Sequence, residues 1–362
     1  MHKRAFCLKM HTEQIIHDFS SLGKEFLKAS QEEEILPEGE PSQASLLTFE
    51  IDNSCYYNPW FIPSFTRFAY AAWAESLQEE KVAQWVRKYR PIIEEDKNPA
   101  SVGIIMAGNI PMVGLHDLIC VLASGNHALI RLSSSDDHLI PAVLDTLTTI
   151  NAGLKNHFSL VQGPLKNFDA IIATGNNNSS RYFDYYFGRY PHIIRKNRNS
   201  VAIISGHETE EEMKKLATDI FMYFGLGCRN VSKLYLPDGL SIEDIMPFFD
   251  DYSFLADHHK YRNNYDYHKS IMLINRIEHR DNGFLLVMEE PSLMSPISVI
   301  HTETYHSIEL LNKHLYQLHD QIQCIVSCHK EIDASILPGR SQLPELWDYA
   351  DGTDTMEFLM KL

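Results

Sequence analysis

From Pro99 onward the chain alternates short apolar runs with amphipathic stretches, and that rhythm restricts its fold more than any other feature. SVGIIMAG reads as a strand ending in glycine, Ile110 to Ala123 as a helix, and HALIRLS as a second strand ending near Arg131. Leu139 to Leu147 is helical, FDAIIATG is a third strand, NNNSSRYFDYYF opens a helix, and SVAIISG is a fourth strand. Strands alternating with helices imply right-handed crossovers and a parallel sheet covered by helices on both faces. Ligands of such sheets bind at the carboxyl ends of the strands. Asn109, Arg131, Thr174 and Gly175 all fall at such ends.

A second alternating block follows. It comprises a helix from Glu210 to Phe224, a turn around Cys228, the strand SKLYLP, a helix from Ile242 to Phe249, and strands around SIMLIN, PISVIH and CIVSC. Ahead of both blocks, residues up to about Glu34 look helical and a polar, proline-containing linker runs from Glu34 to Ser45. Another helix starts after Pro63, with Phe65, Phe68, Ala69 and Ala72 at helical spacing. The expected organisation is α/β, with domains over 1–200 and 201–340. A C-terminal tail is set at 341–362, within the stretch LPGRSQLPELWDYADGTDTMEFL that begins at Leu337 and has a short helix at its end.

Composition narrows the partners. The chain has 362 residues, 44% of them hydrophobic, enough for a large core and two domains. Its net charge of −16 repels nucleic acid and anionic membranes, so neither is an expected partner. Part of that acidity is local, in Glu32, Glu33, Glu34, Glu38 and Glu40. No apolar run approaches the roughly 20 residues of a membrane helix. The N-terminus, with His2, Lys3, Arg4, His11 and Glu13, lacks the apolar core of a signal peptide, so a cytoplasmic protein is expected. Cys7, Cys55, Cys120, Cys228, Cys324 and Cys328 form neither a disulfide framework nor a CxxC pair. Cys324 and Cys328 have helical spacing, but QCIVSCH reads as a strand, and His258 with His259 also lacks a second ligand pair. No metal is expected.

The segment FGLGCRNVSKLYLP is the most informative about chemistry. It sets Cys228 between a glycine-rich turn and a strand, where the thiol is approachable and turn amides can face negative charge. That suits a thiolate that attacks a carbonyl and needs its oxyanion stabilised. Arg229 and Lys233 are nearby cations able to favour the thiolate. Upstream, AGNIP offers the Asn109 side-chain amide as a second oxyanion donor. The alternative is that Cys228 is a small buried hydrophobe.

In the same order along the chain, these segments resemble the aldehyde dehydrogenase superfamily, and within it the acyl-CoA reductases of the fatty-acid reductase (LuxC-like) type. The resemblance runs from about Asn58 to the C-terminus. AGNIP resembles the segment whose asparagine binds the oxyanion, and LASGNHALIRLSSSD the strand end whose basic residue contacts the adenosine ribose or its phosphate. ATGNNNSS is similar to the turn under the pyrophosphate, GLGCRNVSK to the nucleophile loop, and MEEPSLMSP to the Glu-Glu segment that holds the nicotinamide ribose. The tail is similar to the end of the reductase subfamily. The superfamily does not use GxGxxG, so the lack of that fingerprint here does not count against the resemblance.

The resemblance implies two Rossmann-like parallel-sheet domains with an N-terminal helical region, the first domain binding the dinucleotide and the second catalytic. It implies an acylating aldehyde dehydrogenase that reduces an acyl-CoA thioester, expected to be long-chain, to fatty aldehyde through an acyl-Cys228 intermediate. Cys228 and Asn109 would be catalytic. Arg131, Thr174, Gly175 and Glu290 would bind NADPH or NADH, with Arg131 leaning towards NADPH because a guanidinium forks onto phosphate. For Glu290 the other reading is a solvated acidic pair with Glu289, and for Arg131 a strand-end surface charge. Arg181, Arg189, Arg195, Lys196 and Arg198 form a basic strip expected to draw in the phosphates of coenzyme A or the dinucleotide, or else a solvated face. Tyr56, Tyr57, Trp60, Phe61 and Phe65 either line an acyl pocket or cement the N-terminal helices. A homo-oligomer is the family-like expectation.

One departure selects the branch. Hydrolytic relatives need a glutamate ahead of the cysteine to activate water, whereas PHIIRKNRNSVAIISGH contains neither Asp nor Glu. Unless a base comes from elsewhere in the fold, the acyl thioester persists and another thiol must exchange with it, as in a coenzyme A-dependent enzyme. The competing expectations are a cysteine acyltransferase or thioesterase without hydride transfer, and a non-catalytic subunit of a reductase complex.

Overall fold

A computed structural model describes residues 11–31, 45–94, 98–175 and 177–362, with the backbone alone at 92 and 177–180. The acidic cluster at Glu32–Glu40, the basic N-terminus and Cys7 lie outside the described residues, as does the expected linker apart from Ser45. Two compact units divide the chain, one of residues 1–196 with 344–362 and one of residues 197–343.

The first unit begins with helices α1 (Thr12–Ser30), α2 (Leu46–Tyr57), α3 (Pro63–Ser76), α4 (Glu79–Arg87) and a single turn, α5 (Arg90–Ile93). Ile15, Phe19, Leu22 and Phe26 recur every three or four residues and bury one face of α1. Ser45 caps α2 by accepting from the Thr48 N–H, and Pro63 occupies the first turn of α3, where its missing N–H costs nothing. Phe61 and Phe65 are core residues, while Tyr56 and Tyr57 are exposed. Cement is thus the role that packing gives to the buried pair.

A five-stranded, wholly parallel sheet follows: β1 (Ser101–Ile105), α6 (Leu115–Ala123), β2 (His127–Arg131), α7 (Leu139–Ile150), β3 (Phe158–Leu160), β4 (Ala170–Thr174), α8 (Asn177–Phe187) and β5 (His192–Arg195). Its order is β3-β2-β1-β4-β5, so the chain reverses direction across the sheet between β1 and β4. Helix α6 starts at Leu115 rather than Ile110, because the intervening turns pass through a left-handed Met112 (φ 55).

The second unit holds β6 (Asn199–Ile203), α9 (Glu210–Phe221), β7 (Val231–Pro237), α10 (His259–Asn275), β8 (Arg280–Asp281), β9 (Leu286–Glu289), β10 (Val299–Tyr305), α11 (Ile308–Gln317) and β11 (Ile322–Ser327). Its six-stranded sheet has the order β11-β6-β7-β10-β9-β8, parallel except at β8–β9. Val201, Ile203 and Tyr235 from the sheet pack with Leu311 and Leu315 of α11. Thr209 and Glu212 form a reciprocal capping box at the start of α9.

Four expectations need correction. SVAIISG is not the fourth strand of the first sheet; it is β6, and the first sheet is completed by β3 and β5. SIMLIN is the end of α10, where Tyr261, Tyr265 and Met272 are buried at helical spacing while Leu273 and Ile274 face outward. Residues 242–257 form 3₁₀ turns rather than an α-helix. Finally, 344–362 is not a tail apart. This stretch ends in α12 (Thr355–Met360) and is built into the first unit, with Ser76 donating to Pro344 O, Lys81 paired with Glu345, and Trp85 donating to the Tyr349 hydroxyl.

Candidate active site

In the second unit the thiol loop is strained and tightly bonded. After α9 the backbone passes through left-handed Tyr223, Phe224 and Gly225 (φ 54, 59 and 75). Two non-glycine residues there cost about 2–4 kcal/mol together. Burial of both rings, with Phe224 against His258 and Tyr261, offsets this. Residues 227–230 then form a turn with Cys228 exposed at its corner. The Ser200 hydroxyl donates to Cys228 O at 2.9 Å, and the Cys324 N–H donates to that hydroxyl. The Gly227 N–H donates to Asn230 Oδ1, and Asn230 Nδ2 donates to the carbonyls of Asp219, Ile220 and Met222. Buried Asp219 in turn accepts from the Gly339 and Ser341 N–H groups, while burial raises its carboxyl to about 6.

The two cations expected to serve the thiolate have these partners. Lys233 is fully buried, and its ammonium donates to Pro291 O and pairs with Glu303. Arg229 Nη1 donates to Cys324 Sγ at 3.3 Å and to Ser341 O.

Glu290 follows β9 directly. Its N–H donates to Thr302 O, its carboxylate accepts from the Ser292 N–H, and it is half-buried. The segment beyond it folds back over the sheet, pinned by side chains of β7 and β10. Lys233 holds Pro291 O, the Nδ1 of His301 bonds Ser292 O, and the Ser232 hydroxyl donates to Leu293 O. Ser232 stands four residues from Cys228, so the Glu290 segment returns to the amino end of β7, where the thiol turn lies.

In the first unit, β1 runs into the AGNIP loop. Asn109 is exposed on it. Gly108 must be glycine, since a Cβ there would sit 2.6 Å from Ser133 Oγ. The left-handed Met112 donates its N–H to Asp136 Oδ2 at 2.9 Å, which ties the loop to the turn after β2. Burial pushes the Asp136 carboxyl up to about 7, its backbone donors Met112 and Leu139 only partly opposing this. Arg131 is exposed at the carboxyl end of β2, and Thr174 with Gly175 is half-buried at the end of β4. Asn109, Arg131 and Thr174–Gly175 therefore share the carboxyl edge of one sheet, around the reversal between β1 and β4, where such sheets take nucleotides.

The basic strip divides. Arg195, expected to meet cofactor phosphates, is only 5% exposed; it pairs with buried Asp117 and donates to Ala350 O and Thr355 Oγ1. Its place at the end of β5, beneath the C-terminal segment, turns its guanidinium inward. Arg198 belongs to the second unit and donates to His319 O and Ile322 O. Arg181, Arg189 and Lys196 are exposed, Arg189 lying 5.2 Å from the Tyr190 ring centre.

Among the described residues no three His, Cys, Asp or Glu side chains converge as a metal site, and no helix is long and apolar enough to cross a membrane. Sequence reasoning missed Asn230, Asp219, Asp136 and Ser200, which shape the two loops. The available signal was a polar residue inside an apolar run, as in ATDIF or RNVSKLYL, since buried polar groups must find partners.

A family model described as acyl-CoA reductase (LuxC) matches residues 77–247. No curated protein matches the sequence. Aldehyde dehydrogenase 21 from Physcomitrella patens, solved with the reaction product succinate, shares the fold with a TM-score of 0.65 at 12% identity, over 99% of this chain and 85% of that one. For the NAD-dependent aldehyde dehydrogenase from Sinorhizobium meliloti the TM-score is 0.60 at 12% identity, over 89% and 72% of the two chains. For a Mycobacterium tuberculosis aldehyde dehydrogenase complexed with NAD+ it is 0.59 at 12% identity, over 89% and 75%. The resemblance read from the sequence and the fold it implied are both borne out.

Proposed function

We propose that this chain, an enzyme carrying the acyl-CoA reductase pattern on the aldehyde dehydrogenase fold, reduces long-chain acyl-CoA to fatty aldehyde with NADPH through an acyl-Cys228 intermediate. The observation that carries the reading is Cys228 itself, exposed at the corner of a turn that follows the strained residues 223–225 and is tied down through Cys228 O and the Gly227 N–H. Fixed geometry of that kind favours attack over wandering.

The Cys228 thiolate attacks the thioester carbonyl, and the C–S bond to coenzyme A breaks, releasing the coenzyme thiolate. The Cys228 N–H would donate to the oxyanion, and the family resemblance implies the Asn109 amide as the second donor. The reduced nicotinamide supplies, when bound, the hydride that reduces the acyl carbonyl by two electrons. The same donors take the second oxyanion, and collapse breaks the bond to sulfur, freeing aldehyde and restoring the Cys228 thiolate. Arg131 and Thr174–Gly175 would hold the dinucleotide phosphates and ribose along the carboxyl edge of the first sheet. Glu290 would hold the nicotinamide ribose, and the pins at Pro291, Ser292 and Leu293 keep it in place. Residues 191–207 carry no carboxylate to activate water, and the first one after them, Glu208, is spent on the N–H groups of Ser205 and Gly206. The acyl-enzyme therefore waits for hydride.

The test is intact mass after mixing with palmitoyl-CoA in the absence of nucleotide. An acyl adduct on the wild type that is absent from Cys228→Ala, and is discharged as aldehyde by NADPH, is expected. An adduct that water clears as fast as NADPH does would replace this reading with a thioesterase.

A further inference from the structure

We propose that Asn230 is a positioning residue that holds the Cys228 turn to the end of α9 and so sets the thiol in place. The inference rests on Cys228 being the nucleophile. Two bonds close the turn around the cysteine: the Gly227 N–H donates to Asn230 Oδ1 at 2.8 Å, and the Asn230 N–H donates to Gly227 O at 3.1 Å. Asn230 Nδ2 then reaches back past the left-handed residues 223–225 to Met222 O (2.8 Å), Asp219 O (3.2 Å) and Ile220 O (3.3 Å). The side chain is 3% exposed, so water cannot substitute for these partners. Without that tie, the strain in Tyr223 and Phe224 favours relaxation of the segment that leads into Cys228.

The arrangement demands an amide. One end must accept from an N–H, while the other faces three carbonyl oxygens and must donate. Alanine removes both functions. Aspartate keeps the shape and the acceptor, but its second oxygen can donate only when protonated. Burial against carbonyl dipoles raises the pKa of such a carboxyl above the usual range. Asn230→Asp should therefore hold the turn at low pH and release it at high pH.

Steady-state kinetics with palmitoyl-CoA and NADPH across pH, on wild type, Asn230→Ala and Asn230→Asp, is combined with hydrogen exchange at Gly227. Asn230→Ala is expected to lower kcat about 10- to 100-fold with KM within about twofold, the scale of a misplaced reacting group. The kcat of Asn230→Asp, relative to wild type, should climb as pH falls, while the Asn230→Ala ratio stays flat. In Asn230→Ala, Gly227 should exchange at least about tenfold faster with β7 protection unchanged, since local opening is separable from global unfolding. An active wild type with undiminished kcat in Asn230→Ala overturns the proposal alone. So does faster exchange spread evenly through β7, which marks general destabilisation. A wild type that never acylates Cys228 overturns the functional reading and this proposal together.

Discussion

Arg195→Ala separates a structural arginine from a cofactor-binding one. In the structure its guanidinium makes a 2.6 Å ion pair with Asp117, both side chains less than a tenth exposed, and bonds Ala350 O and Thr355 Oγ1. Truncation leaves the Asp117 carboxylate buried without its countercharge, a change that costs about 3–5 kcal/mol. In a unit the size of residues 1–196 with 344–362, each kcal/mol moves Tm by about 2–4 °C, so the loss should be about 6–20 °C. Differential scanning calorimetry reads the midpoint, and quenching of protein fluorescence reads NADPH binding below it. The expected result is a large fall in Tm with unchanged NADPH affinity. Replacing the pair together, Arg195→Met with Asp117→Leu, should recover much of the loss, because an apolar pair leaves no charge stranded. A variant with wild-type Tm and weakened NADPH binding would refute the structural assignment.

Asn109→Ala should lower kcat about 100- to 1000-fold with little change in KM, the range for loss of one oxyanion donor, and equal losses in kcat and substrate affinity would argue against that role. Arg131→Ala should raise KM for NADPH several-fold more than KM for NADH, as read from initial rates with each nucleotide. Parallel changes would deny Arg131 a 2′-phosphate. The raised Asp136 carboxyl predicts a pH signature. In the folded chain the group keeps its proton to about 7, whereas unfolded it releases it near the ordinary carboxylate value, so stability falls as pH rises between those two points. Asp136→Asn, which still accepts from Met112, should lose that slope, and denaturant midpoints at pH 5 and 7.5 that move in parallel for both proteins would refute it.

The sheet strands were legible because apolar runs bounded by glycine and turn residues report burial directly, as in SVGIIMAG and FDAIIATG. The loop positions of Cys228 and Asn109 were legible because each sits in a turn after or before such a run. What the pattern could not supply was ownership. SVAIISG looks the same whichever sheet it joins, and only pairing with β7 and β11 assigns it. SIMLIN was misread because a short apolar run has no period of its own, and the buried tyrosines that set its helix, Tyr261 and Tyr265, lie upstream of it. Arg195 was misread because a basic strip in an acidic chain suggests a surface, while its partner Asp117 is 78 positions away. Long-range pairing likewise hid the bonds from Asp219 to Gly339 and Ser341 that brace the thiol loop.

The central claim is that Cys228 carries acyl groups to hydride, and NADPH oxidation with palmitoyl-CoA tests it most directly, on wild type and Cys228→Ala side by side. The account predicts loss of nicotinamide absorbance with stoichiometric aldehyde in the wild type and neither in the variant. Coenzyme A released without NADPH oxidation, or turnover that survives Cys228→Ala, would contradict it.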